Sequence, residues 1–210
     1  MSIPVVKHMD PILFRAIMED KVDVVKQQYG DQLEHQTTPN ENTALHVAAQ
    51  FGKANCVDAI LSLCPSLLLR LNDQEESTLH IAAKRGDFRI VKALLESAKE
   101  GHKNDDIEME GKTVKEWLIK KTSMKKDTAL HEAVKYNRLS VVKILLNEDP
   151  DFIYSANKHE ETPLYMAARK GFSDVADTIL DTCRSVVYNG PLGRTALHAA
   201  VATNLEGTQN

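Results

Sequence analysis

The sequence predicts an all-α solenoid of helix-turn-helix repeats with projecting loops. Three observations predict it. The stretch Asn42–Ala49 (NTALHVAA) returns as Ser77–Ala83, Thr128–Val134, Thr162–Ala168 and Thr195–Val201. Its His or Tyr stands at positions 46, 80, 131, 165 and 198, spacings of 34, 51, 34 and 33 residues. A fixed period near 33 marks a repeat array, in which each unit buries its apolar face against the next. The chain is also 42 % hydrophobic but only 5 % aromatic, which suits a stack packed with aliphatic and small side chains.

Each residue of the stretch has a mechanical reason to be there. Thr or Ser ahead of an apolar run is an N-cap, whose hydroxyl accepts from a backbone N–H that the first helical turn leaves unpaired. Pro163 takes the first helical position, where its missing N–H costs nothing. The Leu and the small residues after it share one helix face, so a neighbour can approach closely. These residues, T-x-L-H-x-A-A at this period, resemble the ankyrin repeat, and the resemblance runs from about Asp10 to Val201. It implies an ankyrin-repeat α-solenoid in which each motif His bonds its own Thr and the adjoining backbone. Thr43, His46, His80, Thr128, His131, Thr162, Thr195 and His198 then have structural roles.

A single array is expected over residues 1–210. Residues 9–33 form a degenerate N-terminal capping repeat. Asp10 caps, Pro11 opens a helix, and Ile12, Leu13, Ala16 and Ile17 keep helical spacing before a second short helix at Val22, Val24 and Val25. Repeats follow at 40–64 and 75–98. The first has helices at Ala44–Gln50 and Asn55–Leu63, the second at Leu79–Arg85 and Phe88–Ala98. Val57, Ile60, Leu61, Ile90, Val91, Leu94 and Leu95 point inward. Gly52, Gly86, Gly171 and Asn137 fall where a helix ends in a left-handed residue.

The step of 51 rather than 34 residues places a charged insertion at 99–126. It is acidic at Asp105, Asp106, Glu108 and Glu110, then basic at Lys120, Lys121, Lys125 and Lys126. Charge runs are ordinarily solvated spacers, although insertions in repeat arrays also map to binding faces. Val114, Trp117 and Leu118 keep i, i+3, i+4 spacing, so one helical turn is expected inside the insertion. Trp117, the single Trp, is there as a packing anchor or as a partner contact. Repeats resume at 127–148 and 160–183, with Leu139, Val141, Val142, Ile144, Leu145, Leu146, Val175, Ala176, Ile179 and Leu180 inward. An incomplete repeat occupies 194–210. No second apolar helix follows Val201, so an apolar edge is left uncovered. That ending implies a truncated or alternatively ended product of a longer chain.

Composition narrows the function. Thirty Asp and Glu against 26 Lys and Arg give a net charge of −4, which argues against a nucleic-acid partner. Cys56, Cys64 and Cys183 are too few and too scattered for a disulfide framework and suggest a reducing compartment. The first residues lack the apolar core of a signal peptide. The longest plain apolar run, Leu67–Leu69, is far short of a membrane span. A cytoplasmic chain with no direct membrane insertion is expected. His46, His80, His131 and His198 share one motif position a repeat apart, too far to gather around a metal. Asp106–Gly111 imitates the start of an EF-hand loop, but the twelfth position is Trp117, where a bidentate Glu is required. No phosphate loop, HExxH, nucleophile elbow or paired CxxC occurs. No metal, cofactor or enzyme activity is expected.

The variable positions carry the interaction reading. The resemblance places the first helices along a concave side with the loop tips beside them. After the small pair come Gln50-Phe51, Lys84-Arg85, Lys135-Tyr136 and Arg169-Lys170. The loop tips are acidic at Glu41, Glu75, Glu76, Glu160 and Glu161. A mixed-charge surface of this kind serves solubility. It also describes a bipolar groove for a protein partner, with Phe51, Lys84, Arg85, Lys135, Tyr136, Arg169, Lys170 and Trp117 as contact residues.

Further stretches, among them Cys64–Leu68, Asp149–Phe152 and Gly190–Val201, narrow the resemblance to plant ankyrin membrane proteins of the accelerated-cell-death type. In that family a cytosolic array precedes C-terminal transmembrane helices, and the proteins act in defence and stress signalling. The resemblance implies the recognition arm of such a protein, on the cytosolic side and able to associate with membrane-anchored relatives. A free-standing scaffold or competitor unrelated to defence is the second reading.

Overall fold

The computed structural model describes residues 8–100, 113–151 and 153–207. Its helices are α1 (Pro11–Met18), α2 (Val22–Tyr29), α3 (Ala44–Phe51), α4 (Ala54–Leu63), α5 (Thr78–Arg85) and α6 (Phe88–Glu100). They continue as α7 (Val114–Lys120), α8 (Ala129–Lys135), α9 (Leu139–Glu148), α10 (Pro163–Arg169), α11 (Ser173–Thr182) and α12 (Ala196–Gly207). Among the described residues, extended backbone pairs only through isolated bridges at the loop stems, such as Leu71 with Ser77 and Asn189 with Thr195. Met1–Lys7 and the acidic part of the insertion, with Asp105, Asp106, Glu108, Glu110 and the calcium-like stretch Asp106–Gly111, lie outside the described residues.

Helix starts follow from the motif. In α3 the Thr43 hydroxyl accepts from His46 N–H (3.4 Å) while the Thr43 N–H donates to His46 Nδ1 (3.3 Å). The same reciprocal cap links Thr128 and His131 in α8. Ser77 with His80 and Thr195 with His198 repeat the hydroxyl–imidazole contact at 2.8 Å. Since His46 Nδ1 accepts, its proton sits on Nε2, which donates to the Glu76 carbonyl at 3.1 Å. One buried ring thus closes its own helix start and reaches the next loop.

Each helix pair turns on a left-handed residue. Gly52, Gly86, Asn137 and Gly171 hold φ between 54° and 88°. Asp20, which sequence reading passes over, does the same in the first pair (φ 56°). Its carboxylate also accepts from Cys56 N–H (3.1 Å) and Asn55 Nδ2 (2.7 Å), capping α4 where Lys53 offers no side-chain bond.

A second left-handed set sits two residues before each motif Thr or Ser. It comprises Glu41, Glu75, Lys126, Glu160 and Gly193, with φ from 56° to 69°. Only glycine takes this conformation without a Cβ penalty. Glu160→Gly is therefore expected to raise the melting temperature by roughly 2 °C, the relief of strain being partly offset by a freer unfolded chain. Thermal unfolding followed by circular dichroism checks it; an unchanged or lower midpoint counts against strain at this tip.

Two compact units result, one of Met1–Ala82 with Arg89–Leu118, the other of Ala83–Phe88 with Ile119–Asn210. In the first, α1 packs on α2 and α3, and α4 on α2 and α3. In the second, α8 packs on α9 and α10, α11 on α9 and α10, and α12 on α10. The aliphatic residues assigned inward on α4 and α6 are buried, as are Val141, Val142, Leu145 and Leu146 on α9, whereas Leu139 and Ile144 are only half-buried. Leu180 corrects the expectation, because it is exposed; Ile12, which keeps the helical spacing of α1, is exposed as well. Burial on these helices depends on a neighbour across the next layer, and no described residue covers either. Inside the insertion α7 runs seven residues rather than one turn, started by a reciprocal bond pair between Thr113 and Glu116. Trp117 is half-buried on it.

Candidate protein-interaction surface

The second unit gathers part of the expected stripe. Tyr136 caps the end of α8. The ammonium groups of Lys84 and Lys135 lie 5.6 and 5.8 Å from the centre of its ring. Arg138 Nε donates to the Lys84 carbonyl at 3.2 Å, which ties the end of α5 to the turn after α8. The Tyr136 ring stays 39 % exposed. Each cation–π contact at such a site contributes about 0.5–1 kcal/mol. Two ammonium groups are thereby held beside one half-exposed aromatic side chain.

The other stripe residues already have partners. Arg169 Nε meets Glu161 Oε1 at 2.7 Å. An expected base and an expected loop-tip acid therefore neutralise each other rather than facing across a groove. Lys135 also lies 3.7 Å from Glu132 Oε1, an i, i+3 pair whose acid is buried. Lys170 sits over Phe172 at 5.7 Å, and Arg85 is exposed. Phe51 and Trp117 belong to the first unit. There the Phe51 ring meets Phe14 edge-on at 5.8 Å, so it contributes to packing between α1 and α3.

Sequence reasoning missed two features. Arg138 fastens the patch, and nothing in its local spacing announces that. The first unit also carries a mostly apolar hollow of about 670 Å³, lined by Met9, Pro11, Phe14, Met18 and Pro39 together with Arg15 and Glu19. Its walls come from two separate stretches, residues 8–19 and 38–39, so no periodicity reveals it.

Burial, with the Asp20 carboxylate beside it, pushes the Cys56 thiol up to about 12. Burial also raises Cys183. Both stay thiols rather than nucleophilic thiolates at neutral pH. Among the described residues no three His, Cys, Asp or Glu side chains are placed to hold a metal ion. Among the same residues no helix is long and apolar enough to cross a membrane.

A family model described as ankyrin repeats in three copies matches residues 13–106 and 106–190. Protein ACCELERATED CELL DEATH 6 of Arabidopsis thaliana is 28 % identical over 155 residues, which cover 73 % of this chain and 23 % of that protein. Ankyrin repeat-containing protein ITN1 of Arabidopsis thaliana is 31 % identical over 117 residues, 53 % of this chain and 19 % of that protein. The chain thus spans less than a quarter of the length of either relative. The crystal structure of the ankyrin repeat domain of Bcl-3 superposes with a TM-score of 0.74 at 22 % identity, covering 94 % of this chain and 82 % of that one.

Proposed function

Because this chain belongs to the ankyrin-repeat family, we propose that it is a non-catalytic protein-binding module whose recognition patch in the second unit centres on Tyr136 between Lys84 and Lys135. The ankyrin repeat is a protein–protein interaction scaffold, and the fold described above is of that kind. One observation carries the choice of patch: two ammonium groups converge on a half-exposed ring. The partner it suits is a protein segment bearing carboxylates or phosphates, which reads the lysines by charge and the ring by contact. No nucleic acid and no cofactor enter this reading.

The test uses Lys84→Glu and Tyr136→Ala. It leaves Lys135 and Arg169 alone, since each pairs with an acid of the fold. Proteins captured from plant-cell extract by the unmodified chain are measured against each variant across a salt series. Lys84→Glu is expected to weaken capture by on the order of tenfold and to flatten its salt dependence. Equal capture and equal salt dependence would overturn the patch.

At finer grain we propose the cytosolic recognition arm of a plant defence or stress-signalling protein, associated with membrane-anchored relatives. Similarity to two Arabidopsis proteins, one bearing cell death in its name, supports this reading. Capture of a membrane-anchored ankyrin protein in the same experiment would favour it. Capture of soluble partners alone would favour a free-standing scaffold or competitor.

A further inference from the structure

We infer that Asn189 is a self-modification site, at which the chain converts its own asparagine to aspartate and β-linked isoaspartate and so unfastens the loop between α10 and α12. Asn189-Gly190 is the one Asn-Gly pair in the sequence. The reaction needs a backbone nitrogen to reach the preceding carboxamide carbon, and a glycine, without a Cβ, crowds that approach least. The fold dictates this glycine, because a Cβ on residue 190 would stand inside contact distance of the Tyr165 ring. The carboxamide is accessible too, since Asn189 is exposed. Asn72 and Asn157 of the earlier loops differ on both counts. They are buried with their carboxamides holding neighbouring N–H groups, and Asp73 and Lys158 follow them.

The step balances with water as the only other reactant. The Gly190 nitrogen attacks the Asn189 Cγ, the Cγ–Nδ2 bond breaks, and the Gly190 amide proton leaves with the departing ammonia. Water then opens the cyclic imide at either carbonyl, giving aspartate or isoaspartate, each with one new negative charge. In the fold, the same Gly190 N–H donates to the Arg194 carbonyl at 2.8 Å, and Asn189 bridges Thr195. These contacts hold the nitrogen in the loop stem, so ring closure waits for the stem to open. Isoaspartate routes the main chain through the side chain and lengthens it by one carbon. The Asn189 carbonyl, which accepts from the Thr162 hydroxyl at 3.1 Å, then becomes a carboxylate off the main chain. Thr162 is the N-cap of α10. Ala196, which starts α12, donates its N–H to the Tyr188 carbonyl across the same stem at 2.8 Å. One altered residue therefore disturbs the starts of both helices.

The test incubates the full chain at mildly basic pH in heavy-oxygen water, folded and in denaturing guanidinium. Samples taken over days are read by peptide mass spectrometry and with a carboxyl methyltransferase specific for isoaspartate. Heavy oxygen is expected at residue 189 before any other Asn of the folded chain, with isoaspartate among the products. The rate should be at least about tenfold lower in the fold than in guanidinium, the effect of one or two ordinary hydrogen bonds. The modified chain should melt lower by roughly 4 °C. Asn189→Gln, whose longer side chain closes that ring poorly, should stay unmodified and keep its midpoint through the same incubation. No conversion at residue 189 in the folded chain overturns the site. Equal rates with and without guanidinium overturn the gating by the stem, and a modified chain that melts like the unmodified one overturns the unfastening.

Discussion

Gly190→Ala is expected to destabilise the second unit by about 2–3 kcal/mol, the range for forcing atoms into a closed core. A Cβ on residue 190 would stand inside contact distance of the Tyr165 ring carbons Cδ2, Cε2 and Cγ. That ring is buried and cannot swing away. The position has a history along the chain. Five residues before a motif Thr or Ser stands Asn72, Ser123 or Asn157, in each case following a repeat that carries His. Asn72 Oδ1 takes the N–H groups of Gln74 and Glu76, and Asn157 Oδ1 those of His159 and Glu161, which builds the loop. After Tyr165, the residue there is glycine. The larger ring fills the space that a loop side chain would use, and the Thr162 hydroxyl turns to donate to the Asn189 carbonyl at 3.1 Å. Tyr165→His with Gly190→Asn restores the pairing of the other repeats. It is expected to recover most of the loss that Gly190→Asn causes alone, a coupling of about 1–2 kcal/mol. Urea unfolding of the singles and the double measures it, and additive effects would refute the pairing.

Acid is expected to remove about 3 kcal/mol of stability between pH 6.5 and 4 through His46. Burial lowers this imidazole to about 4, with the charges of His80 and Arg70 adding to the effect and the Glu76 carbonyl and carboxylate opposing it. The sign follows from the folded value lying below the unfolded one. Above 6.5 the ring is neutral in both states and costs nothing. As pH falls below 6.5 the unfolded chain takes up a proton that the fold refuses, so stability declines until the ring also charges near 4. Geometry agrees, because a proton on Nδ1 would remove the acceptor of the Thr43 N–H. Urea midpoints from pH 7.5 to 4 in the unmodified chain and in His46→Gln check it. The variant should start less stable and lose less on acidification; parallel curves would count against His46.

What could be read in the sequence was what acts within a few residues. The cap Thr43, its His46 and the small residues behind them do their work inside one helical turn, so the motif carried helix starts, turns and the repeat fold. Asn137 was legible because few side chains tolerate left-handed backbone. Asp20 was not, since its cap to α4 joins residues 36 apart in sequence. Lys135 with Glu132 could have been found from i, i+3 spacing. Arg169 with Glu161 required knowing that the loop folds back beside its helix. The cluster at Tyr136 depends on Lys84, one repeat and a charged insertion away. Leu180 failed as a core assignment because a helix face is buried only by what the next layer supplies.

The change from His46 to Tyr165 also sets where acid enters the array. In the first unit a titratable ring spans the step between repeats, so one proton loosens a helix start and the neighbouring loop together. At Tyr165 the same step is held by ring carbons against a glycine and by a hydroxyl bond, neither of which has a proton to gain above pH 4. Acid therefore loosens the step that His46 spans, while the step at Tyr165 is held by contacts that contain no imidazole.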